Sequence, residues 1–141
     1  MLNDDLTLKG HLSIAVNGEV VQQVPNLVVT TGKNYVASRM KDATTNAMSH
    51  MAIGTGSTSP AAGNTALGSQ AHREALTSTT VSSNVVTYVA TFGAGDGTGA
   101  ITEAGLFNAS SGGDMLCRTT FSVVNKGSQD SMTITWEVTV S

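Results

Sequence analysis

The chain has 141 residues and a mass of 14.4 kDa, is 40% hydrophobic and only 12% charged, and carries a formal net charge of −3. That length suits one compact core, so a single β domain over 1–141 is expected, with 1–30 as an opening hairpin and strand and 31–141 as the remainder. A pI near 5.4 and the absence of any basic cluster exclude the electropositive face that a nucleic-acid binder needs.

No apolar run approaches the roughly 18–20 residues that a membrane-spanning helix requires, and the start of the chain lacks a signal-peptide pattern. The single cysteine, Cys117, cannot form an intramolecular disulfide and reads as a buried, unreactive thiol. Thr and Val are frequent and strong helix formers scarce, which favours β-structure.

Residues 6–16 alternate, with Leu6, Leu8, Leu12, Ile14 and Val16 on one face, Gly10 in phase, and Thr7, Lys9, His11 and Ser13 on the other. This period of two marks a half-buried strand. Asn17-Gly18 supplies a tight hairpin turn, and the chain returns over 19–24. Pro25 interrupts, and 27–30 restarts as a short strand. The spacing predicts a helix over 32–41, with Tyr35, Val36, Ala37 and Met40 as its apolar stripe and Lys33, Asn34 and Ser38 outward. Residues 43–47 read as a polar loop and 50–53 as a brief apolar strand.

The stretch 54–68, rich in Gly, Ser, Thr, Pro and Ala, has little to bury. It reads as an ordered long loop or an arm lying on a neighbour. Residues 71–81 follow as one strand, and 82–84 turn it back. Val86, Tyr88, Ala90 and Phe92 share a face of the next strand, whose other face is also fairly apolar, so it is expected inside a sheet. A glycine loop at 93–99 precedes strands over 101–107 and 115–121. The last strand is the clearest: Met132, Ile134, Trp136, Val138 and Val140 alternate against polar residues, and Trp136 is the expected core anchor. Seven to nine short strands separated by turns predict an all-β fold, a β-sandwich or jelly-roll-like barrel with one short helix.

No reaction is signalled. The glycines at 93–99 lack the Walker lysine and the strand-to-helix setting of a dinucleotide fingerprint. His11, His50 and His72 lie in different elements without ligand spacing, so no metal site is expected, and 72–74 reads as a solvated strand face. No Gly-x-Ser-x-Gly elbow occurs. Glu103, inside an apolar strand, needs a buried partner such as Arg118 or Lys126. Hence no catalytic residue and no cofactor are expected.

Two segments have a familiar order. One is Met51-Ala52-Ile53-Gly54-Thr55-Gly56-Ser57-Thr58-Ser59-Pro60-Ala61-Ala62, followed by Thr65-Ala66-Leu67-Gly68. The other is Ile101-Thr102-Glu103-Ala104-Gly105-Leu106-Phe107-Asn108, followed by Met115-Leu116-Cys117-Arg118-Thr119-Thr120-Phe121, Asn125-Lys126-Gly127 and Ile134-Thr135-Trp136. This order resembles tailed-bacteriophage virion structural proteins, of the tail-fibre or collar-like kind or of the head-decoration kind. The resemblance implies a non-enzymatic virion protein, made in the host cytoplasm, with no nucleic-acid or membrane partner.

With no fibre shaft before the opening hairpin, the expectation is a capsid decoration or cement protein on the head surface. It would bind the phage major capsid protein, self-associate as a symmetric oligomer and stabilise the expanded shell by mass action. The expected contacts are Met1, Leu2, Asn3, Asp4 and Asp5 with Thr55, Ser57, Thr58 and Pro60. The alternative is a tail-associated fibre or collar module that recognises a host-surface receptor or glycan.

Overall fold

A computed structural model of the chain describes residues 6–41 and 45–141. Among these residues nine strands and one helix follow in the order β1 (Leu8–Val16), β2 (Glu19–Val28), α1 (Thr30–Lys41), β3 (His50–Gly54), β4 (Gln70–Ala75), β5 (Ser78–Ser82), β6 (Val85–Phe92), β7 (Gly99–Phe107), β8 (Met115–Lys126) and β9 (Met132–Val140). They form one curled antiparallel sheet of order β4-β3-β7-β8-β2-β1-β9-β6-β5. The fold is all-β with one helix.

The hairpin forms as its sequence dictates. Asn17 and Gly18 take the positive φ values of 51° and 85° that the turn needs, and Leu12 and Ile14 are fully buried. β1 pairs along its whole length with β9, Leu12 opposite Trp136 and Ile14 opposite Ile134. Pro25 does not end β2. The strand runs through it, pairing with β1 up to Gly10 opposite Asn26, and then reaches β8 at Leu27 opposite Arg118 and Val28 opposite Cys117. Before that point β2 and β8 diverge, leaving a groove of about 490 Å³ beside Val21, Gln22 and Val123.

The segment expected as one strand over 71–81 is two. β4 pairs with β3, and β5 pairs with β6 at the other end of the sheet order. The corner is at Leu76 and Thr77, where the Leu76 N–H donates to the Ser49 carbonyl and the Thr77 N–H donates to the Val89 carbonyl. Successive peptides thus serve different strands, and the sheet curls so that its ends approach.

Helix α1 begins two residues earlier than its spacing predicts. Tyr35 and Val36 pack against the core, but Met40, expected in the apolar stripe, is 77% exposed. What seats the helix is Gly32, the only buried residue it contains among those described. A Cβ there would lie 2.1 Å from the Leu116 carbonyl oxygen, so the helix backbone rests directly on β8.

The core has two parts. The main cluster, inside the curl, holds Leu12, Ile14, Met51, Ile53, Phe92, Ile101, Leu106, Cys117, Ile134 and the fully buried Trp136. A smaller cluster on the outer face of β3, β7 and β8 holds Val29, Ala52, Phe107 and Met115, with Leu67 from the 55–69 loop packed on it. The alternation of β7 decides which side each residue serves: Ala104 and Leu106 face the main cluster, and Phe107 faces the small one.

Candidate functional site

Glu103 and Arg118 are the centre of the outer face. Both are buried, at 0% and 1% exposure, where an unpaired charge is not tolerated. The Arg118 guanidinium donates to Glu103 Oε1 through Nη2 at 2.9 Å and Nε at 3.3 Å. The other sequence candidate, Lys126, is equally buried but donates from Nζ to the Gly93 carbonyl at 2.7 Å.

Glu103 also accepts three backbone N–H bonds from the ends of the 55–69 loop, from Gly56 at 2.7 Å, Gly68 at 2.8 Å and Ser69 at 2.7 Å. Arg118 reaches the middle of the same loop, donating to the Thr58 carbonyl at 2.9 Å and to Asn64 Oδ1 at 3.1 Å. Thr102 Oγ1 donates to the Gly56 carbonyl, and the Thr30 N–H donates to that of Ala62.

The loop is therefore ordered, and Gly56 within it and Gly54 just before it are explained by the carboxylate. A Cβ on Gly56 would lie 2.4 Å from Glu103 Oε2, and one on Gly54 would lie 2.6 Å from the same atom. Burial pushes the Glu103 carboxyl up. The N–H bonds from Ser69 and Gly68, the Arg118 guanidinium and the Gly56 N–H outweigh burial and hold it below the ordinary carboxylate value. Glu103 is an anion serving as the loop's fastener.

This fixes what the loop presents. Thr55, Ser57 and Thr58 are exposed and Pro60 is half-buried, while their backbone is tied down from beneath. Four of the expected contact residues thus sit together on one ordered outer surface of small polar side chains. The other five, Met1, Leu2, Asn3, Asp4 and Asp5, lie outside the described residues.

The six aromatic side chains are all turned inward to some degree: Trp136, Phe92, Phe107 and Tyr88 are buried, and Tyr35 and Phe121 are half-buried. Only Tyr35 and Phe121 keep part of their surface exposed, which leaves little aromatic area for a sugar ring to stack on.

Residues 72–74, expected as a solvated strand face, are half-buried. Arg73 lies on the outer side, 3.7 Å over the Phe107 ring, and donates to the carbonyls of Ala109 and Gly112. His72 and Glu74 sit opposite Ile53 and Met51, which serve the main core, and both are half-buried. They meet at 2.7 Å, and Asp96 of the 93–99 loop joins them, with the three ligand atoms within 4.8 Å of one another. The signal was present as His-x-Glu in a strand, since a spacing of two puts both on one face. Asp96 is brought in only by the fold.

A family model described as phage tail-collar fibre protein, N-terminal, matches residues 21–140. No curated protein and no solved structure matches the chain.

Proposed function

The chain belongs to the phage tail-collar fibre protein, N-terminal family, a structural part of the virion, and from that premise we propose that it is a tail-associated module working by contact, without catalysis. The observation that carries this reading is the family match over 21–140. The head-decoration expectation rested on the lack of a preceding shaft, and neither that location nor a major capsid protein partner gains support from the match. The contact surface is the outer side of the 55–69 loop. Its backbone is ordered before any partner arrives, so binding there loses little conformational entropy.

The partner is a protein of the tail. The exposed hydroxyls of Thr55, Ser57 and Thr58 offer adaptable hydrogen bonding to a protein surface, as serines do in binding loops. A host-surface glycan is the weaker reading, because no described aromatic residue is exposed. Gold-labelled antibody against this chain, applied to intact particles, is expected to mark the tail. Label over the head refutes the tail reading and restores the decoration one. Particles carrying Ser57→Arg and Thr58→Arg are expected to lose the label while the purified variant melts like the parent, since neither side chain holds the loop.

A further inference from the structure

We propose that His72, Glu74 and Asp96 form a site for a divalent first-row transition ion, with Zn²⁺ the best fit. The site does not rest on the tail assignment. His72 and Glu74 project from the same face of β4, and His72 Nε2 stands 2.7 Å from Glu74 Oε2. Asp96 comes from the β6–β7 loop, some twenty residues further along the chain, and the three ligand atoms lie within 4.8 Å of one another.

A tetrahedral ion with bonds near 2.0–2.1 Å sets its ligand atoms about 3.3 Å apart. Closing onto an ion therefore asks for movements of about an ångström, within the reach of carboxylate rotamers.

The surroundings hold the three groups in place. The edge of the His72 ring meets Phe92, with centroids 6.1 Å apart and planes at 80°. Asp96 is oriented by its own turn, in which the Asp96 N–H donates to the Gly93 carbonyl at 3.1 Å while buried Lys126 donates to the same oxygen. Gly97, at φ 70°, lets the loop lie against β3 and β4: a Cβ there would fall 2.5 Å from Ile53 Cδ1 and 3.3 Å from His72 Cβ.

Among the described residues nothing donates to the Asp96 carboxylate. One imidazole with two carboxylates suits zinc and its neighbours, whereas calcium and magnesium prefer all-oxygen shells. Three protein ligands at a half-exposed position leave a fourth place for water. The ion joins edge strand β4 to the β6–β7 loop, next to the line where the curled sheet meets itself.

The test is isothermal titration of the chain, first stripped with EDTA, using Zn²⁺ alone. One equivalent is expected to bind at micromolar Kd or tighter, with a rise of several degrees in melting temperature at 100 µM Zn²⁺. Asp96→Asn, which removes no hydrogen bond to the carboxylate, is expected to keep the fold and weaken binding at least tenfold, and His72→Gln likewise. His11→Gln, on the exposed face of β1, is expected to leave binding unchanged. The proposal is overturned if no stoichiometric binding occurs, if binding survives Asp96→Asn, or if Ca²⁺ at 1 mM gives the same thermal shift.

Discussion

Glu103→Ala removes the carboxylate to which the 55–69 loop is tied, and its cost can be worked from what is left behind. Arg118 stays 1% exposed and keeps its bonds to Thr58 and Asn64, but its charge has no counterpart. Removing one partner of a buried ion pair costs about 3–5 kcal/mol. Of the three N–H groups that lose their acceptor, those of Gly68 and Ser69 lie at exposed positions where water can replace it and add little, while that of half-buried Gly56 adds to the loss. Against a total stability of about 5–15 kcal/mol for a typical domain, the expected loss lowers the melting temperature by roughly 10–20 °C.

Urea unfolding followed by the fluorescence of buried Trp136 measures the global loss, and limited proteolysis within 55–69 measures the loop. The double variant Glu103→Leu/Arg118→Met separates the two. With no buried charge it should regain at least half of the lost stability, yet its loop should be cut as fast as in Glu103→Ala. A loss below about 1 kcal/mol in Glu103→Ala, where the buried-pair figure applies, refutes the reasoning. So does a double variant whose loop resists protease as the parent does.

The same carboxyl sets a pH dependence. Its folded pKa lies below the ordinary value, so the unfolded chain binds the extra proton first. The contribution is complete above the unfolded value of about 4.3 and is lost as pH falls through the folded one. The urea midpoint of the parent should therefore fall more steeply below pH 4.5 than that of Glu103→Ala, while the two run parallel between pH 6 and 8. Cys117 is fully buried, and burial raises its thiol well above the ordinary value. A thiol reagent at pH 8 should leave the folded chain unmodified for hours and react with one equivalent in denaturant.

What the sequence disclosed follows from where the information is local. Alternation marked β1, β6 and β9, and Asn17-Gly18 marked the first turn, because side-chain period and positive φ are written in neighbouring residues. The corner at Leu76 and Thr77 was invisible, since neither residue is a turn former and the bend is imposed by partners at Ser49, just before β3, and Val89 on β6. Pro25 looked like a terminator. It is tolerated because β2 changes neighbours there and its missing N–H falls where the ladder passes from β1 to β8.

For the contact loop, composition located the segment but implied slackness. Its order comes from Glu103 and Arg118, 34 to 60 residues away, and only the glycines that make room for the carboxylate hinted at it. The His72 and Asp96 encounter likewise depends on the curl of the sheet.

The position of β9 has a consequence for the time course of folding. It is the last strand of the nine to leave the ribosome, yet it lies between β1 and β6, two places from the end of the sheet order. Until it arrives, the first hairpin and the β5–β6 pair each wait with an unsatisfied ladder, open to other chains. Completion of the sheet therefore requires β9 to pair on both sides with strands far back in the chain, β1 and β6. Such distant pairing closes slowly, and nascent chains crowded on one message share the same waiting edges.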